Sequence, residues 1–243
     1  KVNLSEFIEL SEAQVTKVED GTNYATVTYK VNEEEHILTC NLVIMAEGGN
    51  LLASEDKSIS HDYEQLALVA HLKTKEKSSG IAYERFSDIG ALVLLPFKDH
   101  YVMVWSLETS KATYLKNNPL ELQNMLNEKF TRRLGGASFL GDVASFPLKL
   151  IQAKQRMRKR VALIGNSAQI VHPVSAQGLN LGLRDMVVLS NLLAKNHDVN
   201  IDTLKQFDNL RKQDVNAVIG FTHSLTSFID KPSIKHARGV GII

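Results

Sequence analysis

Two stretches of β-type residues lie between Ala13 and Val31, separated by the polar turn Glu19-Asp20-Gly21-Thr22-Asn23. The return stretch Tyr24 to Val31 is rich in β-branched and aromatic residues, which predicts a hairpin. A polar turn at Asn32-Glu33-Glu34-Glu35 leads to a third strand from His36 to Cys40. Leu42-Val43-Ile44-Met45-Ala46 is a continuous apolar run, the pattern of a strand buried on both faces in a parallel sheet. From Gln65 to Leu107 the pattern stays β-rich. Strands are expected at Leu66–Ala70 and Ile81–Phe86, then at Ala91–Leu95 and Tyr101–Leu107 around Pro96-Phe97-Lys98-Asp99-His100. A curved antiparallel sheet accounts for them most simply.

The period then becomes helical. Asn118 suits an N-cap, Pro119 the first helical position and Glu121 the capping box. Leu122, Met125, Leu126 and Phe130 form an apolar stripe, and Gly135-Gly136 ends the helix. A strand is expected over Val143–Leu148, a second buried strand over Val161–Ile164, and a helix from Gln177 to Leu193. A last helix starts near Asp202 and runs past Phe221, with Leu204, Phe207, Leu210 and Val218 on its inner face, and Pro232 stops the pattern. Two strands of parallel type thus bracket an antiparallel insert. The fold class is α/β, mixed with α+β, in three stretches: 1–58 with the hairpin and first buried strand, 59–150 with the antiparallel sheet, and 151–243 with the second buried strand and C-terminal helices.

Composition narrows the function. A formal net charge of +1 over 243 residues gives no field for nucleic acid. One cysteine, Cys40, excludes a disulfide framework or a cysteine-cluster metal site and suits a small buried apolar role. Lys1 to Leu10 shows no leader pattern, and no run approaches the ~20 apolar residues that span a bilayer. The basic run Lys154 to Arg160 reads as a solvated surface or as a contact for anionic lipid. Asp208, Asp214 and His223 have no metal-ligand spacing.

Chemistry concentrates in residues 161–185, which read as strand, sharp turn, proline loop and glycine-opened helix. Gly165 lets the backbone turn, and Asn166 sets a hydrogen-bonding side chain at a strand's C-terminal end. Gly178 and Gly182 keep the helix start free of bulk, where N–H groups and partial positive charge face outward. The bland alternative is a plain strand–loop–helix. His172 reads as a packed loop histidine and not as a catalytic base.

This segment resembles the second flavin-binding motif of class A flavoprotein monooxygenases, and more narrowly the FAD-dependent hydroxylases of ubiquinone biosynthesis. The resemblance implies that Gly165 and Asn166 serve the ribityl chain, that Pro173 lies against the isoalloxazine, and that Gln177, Gly178, Leu179 and Asn180 face its pyrimidine end. Other stretches agree: Asp62 to Val69, Ala82-Tyr83-Glu84-Arg85-Phe86 with Gly90 to Pro96, Tyr101 to Ser106, then Arg211, Asp214, Thr222 and Arg238-Gly239. Tyr63, Gln65, Tyr83, Glu84, Arg85 and Phe86 are substrate-side candidates, with cross-strand packing and a surface ion pair as the alternative. Gln169, where many members have His, hints at the 2-polyprenyl-6-methoxyphenol hydroxylase branch. Ala176 replaces a common glycine.

The resemblance implies part of a Rossmann-like FAD-binding domain with an inserted antiparallel-sheet substrate domain. It also implies ring hydroxylation of a polyprenylated phenol, using FAD, NAD(P)H and O2 through a flavin hydroperoxide, with no catalytic side chain and no metal. A cytoplasmic protein peripheral to the inner membrane, or a member of a ubiquinone-biosynthesis complex, would suit that substrate. The middle motif departs from the family: Ala46-Glu47-Gly48-Gly49-Asn50-Leu51 stands where Ala-Asp-Gly-x-x-Ser is usual, so Glu47 and Gly48 read equally as a cofactor contact or as a turn. The Gly-x-Gly-x-x-Gly loop is absent. About the first third of the parent protein is therefore expected to lie outside this chain, leaving it inactive alone. Two other readings stay open, a non-catalytic scaffold and another class A hydroxylase or epoxidase.

Overall fold

In the computed structural model, residues 12–48, 58–76, 80–87, 89–196 and 199–229 are described, apart from the side chains of 130–133 and 226–229. Contacts divide the chain into two units. The first comprises 1–59, 152–170 and 179–215, the second 60–151, 171–178 and 216–243. The stretch 151–243 is thus shared between them and does not stand as a body of its own.

The first unit opens with an antiparallel meander of β1 (Gln14–Asp20), β2 (Ala25–Val31) and β3 (Glu34–Cys40). Asn32 and Glu33 both take positive φ, 51° and 69°, the geometry of a two-residue hairpin turn. That turn is tighter than the four-residue one expected, so β3 starts at Glu34. Strands β4 (Val43–Met45) and β10 (Val161–Leu163) pair in parallel, with Val43 opposite Val161 and Met45 opposite Leu163. Helices α3 (Gly178–Lys195) and α4 (Ile201–Ile229) bring Leu189, Leu192, Leu204 and Phe207 onto buried Ala162.

Three expectations for this unit are corrected. Every residue of β10 is buried, but Ile44 in β4 is 45% exposed because only one face of β4 is covered. Leu210 is 50% exposed, and Arg211 takes the inward position between Phe207 and Val215. The basic run is not a uniform solvated face. Arg156 is buried, while Lys159 and Arg160 bind the hairpin turn through backbone N–H bonds of 3.0 and 2.7 Å to Asp20.

The second unit is a sheet backed by two helices. Its strands run β9 (Ala137–Ala153), β5 (Ser58–Thr74), β8 (His100–Glu108), β7 (Gly90–Phe97) and β6 (Tyr83–Ser87). Strand β9 passes into the first unit at its end, where the N–H of Ala153 donates to Ala168 O next to β11 (Gln169–Ile170). Leu68 and Leu92 both lie opposite Trp105, and Leu94 lies opposite Met103, so one face of the sheet becomes a continuous apolar surface. Helices α1 (Thr109–Asn117) and α2 (Pro119–Leu134) cover it with Ala112, Leu115, Leu122 and Leu126.

Strands β5 and β9 are each 17 residues long, because pairing continues through polar positions that apolar alternation does not mark. Helix α1 has a weak pattern, burying only Ala112 and Leu115, and was not expected. The proposed capping box at Glu121 does not form: Asn118 donates to Tyr114 O at 2.8 Å, closing α1, and Glu121 accepts from the Tyr114 hydroxyl at 2.7 Å. Phe130, Pro232 and Arg238-Gly239 lie outside the described side chains. If the face around Trp105 is the core, Leu94→Ala should cost roughly 2–5 kcal/mol. Ile37→Thr on exposed β3 should stay within about 0.5 kcal/mol. Urea denaturation compares them, and equal midpoints would refute this core assignment.

Candidate functional site

In the first unit, Gly165 follows β10 with φ +57° and opens a 3-10 turn through Ser167. Helix α3 passes so near that a Cβ on Gly182 would lie 3.3 Å from Gly165 Cα, so two glycines permit this approach. The Gly165 N–H is claimed by the fully buried Asp185, whose Oδ2 accepts it at 2.9 Å. The same oxygen accepts the Gln169 amide at 2.9 Å, and Oδ1 accepts Arg211 Nε at 2.6 Å. Arg156 donates to Gln169 Oε1, while Asp214 bridges Arg211 at 2.7 Å and Arg184 at 2.6 Å. Burial pulls the Arg156 guanidinium below its ordinary pKa, and the Asp185 charge opposes that pull.

Among the first-unit candidates, Glu47 is brought to this turn: Ser167 Oγ donates to its Oε1 at 3.1 Å. Gly48 has φ +91° with open space around it. Asn166 is exposed at the tip of the turn, and Leu179 and Asn180 are exposed at the start of α3. Positions 49–57 of the middle motif lie outside the described residues. In the second unit, Pro173 is exposed at the head of a 3-10 turn, and Ala176 ends that turn in the left-handed conformation at φ +50°. A glycine would adopt that conformation without strain, which explains the family preference in conformational terms. Gln177 and Gly178 are half-buried, and a Cβ on Gly178 would meet only Val171, at an ordinary 3.8 Å.

The second unit also holds a cleft of about 740 Å³, lined by Tyr63, Glu64, Gln65, Ile89, Gly90, Glu108, Ser110, Lys111 and Tyr114. That volume is in the ordinary range for small-molecule sites. Glu64 stands between two of the candidates with φ +56°, a left-handed kink inside a strand, and its N–H donates to Asp62 Oδ1 at 2.9 Å. That bond, with Lys149 at 3.1 Å, holds the Asp62 carboxyl below the usual range. Buried His172 packs edge-on against Tyr63, with ring centroids 4.8 Å apart. Its Nδ1 accepts the Val174 N–H at 3.1 Å, and its Nε2 lies 3.1 Å from Gln65 Oε1. Burial raises the Tyr63 phenol and drives His172 down to about 4.

The structure thus brings Tyr63, Gln65 and His172 together. Tyr83, Arg85 and Phe86 are not among the cleft's lining residues. Tyr83 packs on the core, and Phe86 pairs with Ala91 across the sheet. Arg85 donates to Lys129 O at 2.9 Å. Asp185 and Arg156 received no role from the sequence. Asp185 follows Gly182 by three positions, a usable signal, whereas Arg156 is indistinguishable from the basic residues beside it.

A parallel strand pair ending in a glycine turn, a glycine-opened helix and an antiparallel sheet with a cleft are parts of the fold of FAD-dependent monooxygenases and halogenases. The flavin-dependent halogenase CmlS superposes on 89% of the chain, and on 42% of its own length, with a TM-score of 0.73 at 18% identity. The model of the FAD binding domain family matches residues 7–222, and the chain belongs to that family. It is 29% identical over 89% of its length to the protein slr1300 of Synechocystis, covering 55% of that protein. It is 32% identical over 76% of its length to the ubiquinone hydroxylase UbiM of Neisseria meningitidis, covering 40% of that enzyme. The chain spans about half the length of the curated relatives it matches.

An exposed amide at a strand-end turn, as at Asn166, is of a kind that could hold the ribityl chain of FAD. The Gly165 turn leaves Asn166 exposed at its tip, and packing does not demand a glycine at Gly178. Asp185→Ala would strand the buried Arg211 and release the Gly165 turn, costing roughly 3–5 kcal/mol, as thermal or urea unfolding would read. Below about 6.5, the ordinary His172 value, the unfolded chain binds a proton that the folded chain refuses until about 4. Stability from this residue is therefore full above that window and lost as pH falls through it, by up to roughly 3 kcal/mol. Unfolding midpoints for wild type and His172→Gln should diverge only across this window, and parallel curves would refute the assignment.

Proposed function

We propose that this chain carries the ring-side flavin motif and the substrate sheet of an FAD-dependent monooxygenase. The parent enzyme hydroxylates the aromatic ring of a polyprenylated phenol in ubiquinone biosynthesis. The observation that carries this reading is the turn at Gly165, pinned by Asp185 and pressed against Gly182, with Asn166 exposed at its tip. The similarity to UbiM supports the substrate class.

In this reading Asn166 bonds the ribityl chain, Pro173 lies against the ring, and the N–H groups at Gly178 and Leu179 favour negative charge at the pyrimidine end. FAD, reduced by NAD(P)H and exposed to O2, supplies the oxygen transfer. The sheet's cleft holds the phenol, excludes water and aims the ring. No helix among the described residues is long and apolar enough to cross a membrane. A prenyl tail would reach its lipid by peripheral contact.

The adenosine end of FAD requires a Gly-x-Gly-x-x-Gly segment that this sequence does not contain. The reading assigns it to a preceding dinucleotide-binding part, without which these 243 residues should not hydroxylate. The half-covered β4 supports such a complement, as do exposed Leu183, Met186 and Val187 on α3. One observation favours a scaffold instead: Glu47 puts a carboxylate beside Ser167 where the family motif has the shorter Asp.

The visible absorption spectrum of the purified full-length protein separates the two. Flavin bands that shift on adding a prenylated phenol are expected, and Asn166→Ala should weaken flavin retention roughly three- to tenfold, the worth of one hydrogen bond. A colourless full-length protein that cannot be loaded with FAD would leave the scaffold.

A further inference from the structure

The amide of Gln65 can face its neighbours with oxygen or nitrogen, and the contacts around it decide which. The Val174 N–H is a backbone donor, so His172 Nδ1, 3.1 Å away, must be an acceptor without a proton. A neutral imidazole then carries its hydrogen on Nε2. Burial keeps the ring neutral, with its pKa near 4. The Nε2–H donates to the Gln65 atom at 3.1 Å, which must therefore be Oε1. The NH2 end of Gln65 is thereby turned away from His172. Gln65 lines the cleft, and the kink at Glu64, with its N–H held by Asp62, sets the backbone beside it.

We propose that Gln65 is a specificity-determining residue of this cleft, presenting a fixed NH2 donor to an oxygen substituent on the ligand's aromatic ring, and that His172 is the positioning residue that sets its orientation. The inference deepens the hydroxylase reading, because it states how the site tells an oxygenated ring from a bare one. A site built to satisfy one oxygen rejects the analogue that lacks it, since a part-buried donor is left unpaired. Neither residue exchanges a proton with the ligand.

The test uses full-length protein and two probes that differ by one acceptor: 2-prenylanisole, whose ether oxygen only accepts, and prenylbenzene. Calorimetric titration reads both without needing flavin. Wild type should bind the anisole roughly three- to tenfold more tightly, the range for one neutral hydrogen bond. Gln65→Leu should bring the ratio to about one. Gln65→Glu, nearly the same shape, should bring it to one or below, because a carboxylate repels the ether oxygen; this variant carries the test if Gln65→Leu does not fold. His172→Phe keeps the ring packing on Tyr63 but frees the amide to flip, so the ratio should fall while prenylbenzene affinity holds. An unchanged ratio in the Gln65 variants, no preference in wild type, or an unchanged ratio in His172→Phe would each overturn the proposal. A protein that discriminates through Gln65 yet cannot be loaded with FAD would keep this inference and sink the hydroxylase. A protein that hydroxylates with an unchanged ratio in Gln65→Leu would do the reverse.

Discussion

The first unit depends on one buried carboxylate. Asp185 sits on α3 with no exposed surface, and it receives the Gly165 turn, the Gln169 amide and the Arg211 guanidinium. Through Gln169 the linkage continues to Arg156 before β10, and through Arg211 it reaches α4. Four segments distant in sequence are thus tied by charge-assisted bonds in a low-dielectric interior, where each bond is strong and each omission costly. Apolar packing around Ala162 brings α3 and α4 together but leaves rotation and register free. The carboxylate removes that freedom at the place where backbone geometry matters most, the glycine turn that carries Asn166.

The second unit applies the same principle with neutral groups. Its sheet is stabilised by the apolar face around Trp105, and no charge network is needed there. Beside the cleft, His172 is clamped between the Val174 N–H and Gln65. A protonated His172 would lose the Val174 bond and set a charge in a buried site, so the clamp works only in the neutral form. The left-handed Glu64 nearby costs about 1 kcal/mol and is stabilised by the Asp62 carboxylate. The left-handed Glu64 and the buried His172 contact to Gln65 thus lie close together beside the cleft.

Legibility followed the same division. Elements whose residues alternate or repeat on an apolar face were readable: β1, β2, β7, β8, α2 and α3 lie close to where the pattern sets them. Elements held by pairing through polar positions were not, which is why β5 and β9 extend well beyond their apolar centres and α1 went unseen. The Gly165 to Asn180 segment was legible because glycine, proline and asparagine have few other reasons to occur in that order. The network beneath it was not. Arg156 and Arg211 occupy positions where a sequence suggests solvent or an apolar residue, and Asp185, Asp214 and Gln169 together make their burial tolerable. Gln65 and His172 lie 107 positions apart, and nothing local to either sequence records their contact.

Two apolar patterns in the first unit are only partly covered. Helix α3 buries Leu181, Leu189 and Leu192 but also carries Leu183, Met186 and Val187 on its outer side. Strand β4 is apolar at every position although only one face is covered. A strand with no polar face is the pattern of an element enclosed on both sides, and a helix with apolar residues outside its buried stripe has more apolar surface than one packed face uses. These sequences therefore encode more contact than the described residues supply. In the first unit that excess is carried by Ile44 on β4 and by Leu183, Met186 and Val187 on α3, while the sheet of the second unit covers one apolar face with α1 and α2.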